Sequence, residues 1–117
     1  MSDIKELGKL AKAFTDAVDA GLMKDMTLAL DVMDVATEDE LFTMIGLQVE
    51  EGADGKLAPV KSPSPKNSLH LAEIFSALAE RSGKSEELKK FVPAAARTHE
   101  VRTALAKKAP AFAKLCA

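Results

Sequence analysis

The sequence predicts an all-α fold: a compact bundle or orthogonal array of five to six short helices with a long central loop. Three observations predict it. Ala, Leu, Met, Lys and Glu, all strong helix formers, dominate the composition, while Trp and Tyr are absent and Phe occurs five times. Apolar residues recur at three- and four-residue spacing through most of the chain. Helix start and stop signals punctuate it at short intervals. At 117 residues, 47% hydrophobic and 29% charged, the chain fits one domain able to bury a core without metal or disulfide.

Ile4, Leu7, Leu10, Ala11, Phe14 and Val18 form one stripe and predict a first helix from Ser2 to Ala20, with Gly21 as its stop. Lys12 and Asp16 form an i,i+4 pair on its other side. A second helix spans Leu22 to Val35. Leu22, Met26, Ala29, Leu30 and Met33 are expected to face the core, leaving Leu28, Val32 and Val35 on a second apolar side. A helix apolar on most sides is either central or pressed against a partner. Thr37-Glu38-Asp39-Glu40 is a capping box. It opens a third helix expected to run to Glu51 and to bury Leu41, Phe42, Ile45 and Val49.

Near residues 46–60 a short hairpin is the rival reading, because Leu47-Gln48-Val49-Glu50 alternates and Gly52-Ala53-Asp54-Gly55 is turn-rich. Residues 52–68 are expected to be mainly loop, stiffened by Ser62-Pro63-Ser64-Pro65. Ser64, with Pro65 at the first helical position, or Ser68 caps the next helix. That fourth helix runs from Leu69 to Arg81 with Leu71, Ile74, Phe75, Leu78 and Ala79 inward, and Ser82-Gly83 ends it. Ser85 is expected to cap a fifth helix. A sixth spans Ala94 to Lys108 with Ala94, Thr98, Val101 and Leu105 inward, and Pro110 breaks it before a last turn carrying Phe112 and Leu115.

Charge is divided along the chain. Residues 1–60 carry 5 Lys/Arg and 13 Asp/Glu, whereas residues 61–117 carry 11 and 5, so a net of −8 precedes a net of +6. An acidic segment (1–51) thus meets a basic one (69–117) across the central loop, and opposite fields attract within one molecule or between copies.

Catalytic and metal-binding patterns are missing from the sequence. A calcium loop opening at Asp31 would put Ala36 where the turn needs Gly and Phe42 where a bidentate Glu belongs. The two His and one Cys fall in none of the usual ligand spacings, and His70–Glu73 alone cannot hold a metal. Cys116 has no base beside it in sequence, adjacent acids such as Glu50-Glu51 and Glu86-Glu87 do not converge as an acid–base pair, and no phosphate loop is present. No cofactor or metal is expected.

The reading these residues support is a non-enzymatic, cytoplasmic protein–protein interaction module that self-associates as a homodimer. Its candidate interface is Met23, Leu28, Val32 and Val35, the methionines lending adaptable packing. A nucleic-acid-associated protein is the alternative, with Lys89, Lys90, Arg97, Arg102, Lys107 and Lys108 meeting phosphates. The absence of an aromatic stacking platform and a pI near 5.7 weigh against it. A small-molecule pocket between helices is the third reading. No stretch approaches the ~20 apolar residues of a membrane span.

Overall fold

The fold is seen in a computed structural model that describes residues 3–117. Asp3 accepts a hydrogen bond from the Glu6 amide and opens α1 (Ile4–Lys24); the expected start at Ser2 lies outside the described residues. Leu7, Ala11, Phe14 and Val18 are fully buried, as the stripe predicts, whereas Ile4 at its end is exposed. Lys12 and Asp16 form their ion pair at 2.6 Å on the solvent side. Gly21 does not stop this helix. It lies inside it, where its missing side chain makes room for the Phe91 ring, which a Cβ would approach to 2.4 Å. The stop is Asp25, whose carboxylate accepts from the Leu28 amide at 3.0 Å and caps α2 (Met26–Met33).

Thr37 and Glu40 close the capping box of α3 (Glu38–Gln48) in both directions, at 2.9 and 3.1 Å. Here the rival reading prevails over a helix to Glu51. β1 (Val49–Glu51) and β2 (Leu57–Pro59) pair antiparallel, with Val49 opposite Pro59 and Glu51 opposite Leu57. Gly55 takes the left-handed conformation the turn requires, at φ 78°. The expected long loop is therefore a hairpin plus the short link 60–64.

Ser64 accepts from the Asn67 amide and Pro65 occupies the first turn of α4 (Pro65–Ser82). Gly83, at φ 72°, ends it. All five residues of the predicted stripe are buried, with Leu69 and Ala72 beside them. This helix is the hub: α1, α2 and α3 pack on it, as do α5 (Ser85–Lys89) and α7 (Pro110–Leu115). Ser85 is the first residue of α5 and gives no side-chain cap.

The expected helix from Ala94 to Lys108 is split. A 3-10 turn spans Ala94–Arg97, and α6 (His99–Lys108) starts afresh behind Thr98, whose hydroxyl accepts from the Val101 amide. Thr98 is thus a cap and exposed, as is Ala94, while Val101 and Leu105 face inward as expected. Proline opens α7 without a side-chain cap of its own; Glu73 on α4 supplies one, accepting from the Ala111 and Phe112 amides at 3.0 Å each. The Phe14 and Phe112 rings, 4.9 Å apart, join α1 to α7.

The two charged segments meet within the molecule. Arg81 pairs with Glu40, and Lys84 with Asp31 at 3.5 Å. Glu40 is held below the usual carboxylate range by the Thr37 amide first and by the Arg81 guanidinium second.

Close approach of α1 and α4 rests on Gly8, where a Cβ would fall 2.5 Å from the Pro65 Cα. Backbone cannot swing aside as a ring tip can. Gly8→Ala is therefore expected to cost about 1–3 kcal/mol through overpacking, and more than Gly21→Ala, where only the Phe91 ring edge must move. Urea midpoints of the two variants check this order.

Candidate functional site

Eight large apolar side chains are exposed among the described residues, and six of them lie between positions 23 and 45: Met23, Met26, Leu30, Leu41, Phe42 and Ile45. Helix geometry groups them. On α2, Met26 and Leu30 are one turn apart on the same side, and Asp34 continues that line. On α3, Glu38, Leu41, Phe42 and Ile45 follow the i, i+3, i+4, i+7 pattern of a single face. The two helices are consecutive, joined by residues 34–37, and both pack on α4. Met23 adds a side chain from the last turn of α1 and is 83% exposed; Phe42 is 65% exposed.

This arrangement corrects the expected facing of both helices. Leu28 and Val32, assigned to an interface, are 6% and 0% exposed and belong to the core. They are unavailable to a partner. Val35 is half-buried against the same core. Met26 and Leu30, expected inside, face out. The physical reason is the Asp25 cap. It ends α1 and starts α2 in a new phase, so the stripe that began at Leu22 does not continue through Met26 and Leu30. Leu22 is indeed buried, but as the last core residue of α1.

In α3, Leu41, Phe42 and Ile45 are exposed and Met44 is the buried residue, with Val49 only partly covered. Apolar residues surround most of this helix, so spacing alone did not select the inner one. The Glu40–Arg81 pair and Met44 fix which side meets α4. Of the predicted interface residues, only Met23 is fully accessible.

The acidic character of this region is concentrated. Residues 25–55 contain nine Asp/Glu and no Lys or Arg. Asp31 and Glu40 are paired with Lys84 and Arg81. Asp34, Glu38 and Asp39 are exposed, flank the apolar side chains in sequence and form no salt bridge among the described residues. The exposed apolar side chains of α2 and α3 are therefore accompanied by three exposed carboxylates that no described Lys or Arg pairs.

The basic candidates are distributed over α5, the 3-10 turn and α6. Lys89 pairs with Glu86 at 3.2 Å, and Lys90 sits 5.3 Å from the centre of the Phe91 ring. Arg97 donates to the Lys89 carbonyl, which brings those two together. Arg102 is half-buried with its Nε unpartnered among the described residues. Lys107 and Lys108 are exposed in the last turn of α6. Cys116 is 1% exposed, and burial pushes its thiol up to about 11, against the opposing pull of Arg97 and Arg102. A thiol so placed is a poor nucleophile at neutral pH.

A cleft of about 380 Å³ opens between α1, the hairpin and the start of α4. Asp19 lines it and accepts a hydrogen bond from Gln48 at 3.4 Å; burial first, and the neighbouring Asp16 second, raise its carboxyl above the usual range. His70 is exposed beside a second cleft that Lys66 and Lys108 also line. Among the described residues no three His, Cys, Asp or Glu are grouped to hold a metal ion, and no helix is long and apolar enough to cross a membrane.

Comparison of the chain with protein-family models, curated proteins and solved structures finds no match.

Proposed function

We propose that the chain is a non-enzymatic, helical protein–protein interaction module whose docking face is formed by α2 and α3. The observation that carries this reading is the concentration of exposed apolar side chains at Met23, Met26, Leu30, Leu41, Phe42 and Ile45. Single exposed apolar residues need no explanation, but a cluster on neighbouring elements is a mark of association. Methionine and phenylalanine provide adaptable and large contact area, respectively.

In the absence of another partner, this face pairs weakly with a second copy. Burial of apolar surface drives that pairing, and the three carboxylates oppose it. Salt screens the opposition, with the Debye length falling from about 10 Å at ~0.1 M to about 3 Å at ~1 M. Mass measured by light scattering is therefore expected to rise with protein concentration, and to rise further in high salt. The double variant Leu30→Ser/Phe42→Ser is expected to stay monomeric. A parent chain that remains monomeric at tens of micromolar in both low and high salt overturns self-association.

A further inference from the structure

We infer that the principal occupant of the α2–α3 face is a basic amphipathic helix from another protein. The inference rests on the docking reading above and adds the chemistry of the partner. A helix seated on an apolar face is read through anchors at i, i+3, i+4 and i+7, and Met26, Leu30, Phe42 and Ile45 offer the apolar surface for them. Asp34, Glu38 and Asp39 lie between the two groups of anchors in sequence, exposed and outside any salt bridge among the described residues. Lysines or arginines beside the partner's apolar anchors would meet these carboxylates, which steers encounter and fixes orientation.

A second copy of this chain fits less well, for two reasons. Pairing like face to like face brings the same carboxylates towards each other. The chain's own basic helix, α6, cannot substitute, because its apolar side chains Val101 and Leu105 are already buried in the core. It presents charge without an apolar face. Two further basic residues, Arg81 and Lys84, are engaged with Glu40 and Asp31.

The test uses a fluorescent amphipathic peptide of leucine and lysine, and a leucine–glutamate peptide of the same pattern, titrated with the full chain by anisotropy. The lysine peptide is expected to bind, more weakly as salt rises, and the glutamate peptide at least tenfold more weakly. Neutralising the three carboxylates with Asp34→Asn, Glu38→Gln and Asp39→Asn is expected to weaken lysine-peptide binding about tenfold, as three exposed charge contacts would. Phe42→Ser is expected to weaken it by a similar factor or more. An unchanged urea midpoint shows that each variant is folded.

Equal binding of the two peptides, or no effect of the neutralised variant, overturns the basic partner. If the parent self-associates through Leu30 and Phe42 yet ignores the lysine peptide, the partner chemistry is overturned while the docking face stands. If substitution at Leu30 and Phe42 alters neither mass nor peptide binding, the docking face itself is overturned.

Discussion

Phe14→Ala is expected to lower stability by about 3–5 kcal/mol, the range for emptying a buried aromatic site. Phe14 is fully buried and its ring lies 4.9 Å from that of Phe112. It therefore links the first helix to the last, across most of the chain. Domains of this size are stable by about 5–15 kcal/mol in total, so the loss consumes a large share. With a urea slope of about 1–3 kcal/mol per molar, the unfolding midpoint falls by about 1 M or more. A shift of a few tenths of a molar would show that α1 and α7 do not close over one core.

Leu28→Ala is expected to cost about 2–5 kcal/mol, while Leu30→Ala stays within about 0.5 kcal/mol of the parent. The residues are two positions apart on one short helix and carry the same side chain. Only their facing differs: Leu28 is in the core and Leu30 is exposed. The pair therefore reads the rotation of α2 directly. Chemical denaturation of both variants decides it. A larger loss at Leu30 would turn α2 over, withdraw Met26 and Leu30 from the surface, and remove half of the docking face.

Most of the fold was legible in the residues. The inner face and the end of α4 were clear, because Leu71, Ile74, Phe75, Leu78 and Ala79 leave only one choice of face and Gly83 marks the stop, but its start was open between Ser64 and Ser68, and it begins at Pro65, four residues before the expected Leu69. The Thr37–Glu40 box located the start of α3 to the residue. The hairpin was visible only as a competitor, since three-residue strands carry little periodic signal.

Facing was the part that failed, and it failed where apolar residues surround a helix. Around α2 the two candidate stripes differ little in apolar content, so position on α4 makes the choice. The one local clue was Asp25, a capping residue within what looked like continuous helix. The docking face inherits that ambiguity: an exposed Phe42 and a buried Phe75 look alike in sequence, and only the packed structure separates them. The acidity of this half of the chain, by contrast, was readable as a net of −8 over residues 1–60, though not which carboxylates stay unpaired.

Cys116 gives the molecule a built-in clock. Its sulfur is sealed in the core, one residue from the end of the chain, with its proton held up to about pH 11. An alkylating reagent reaches it when the packing around α7 opens. Where capping outpaces reclosing, the rate at which the thiol is capped therefore counts how often α7 opens, without any label being added to the surface on which partners land.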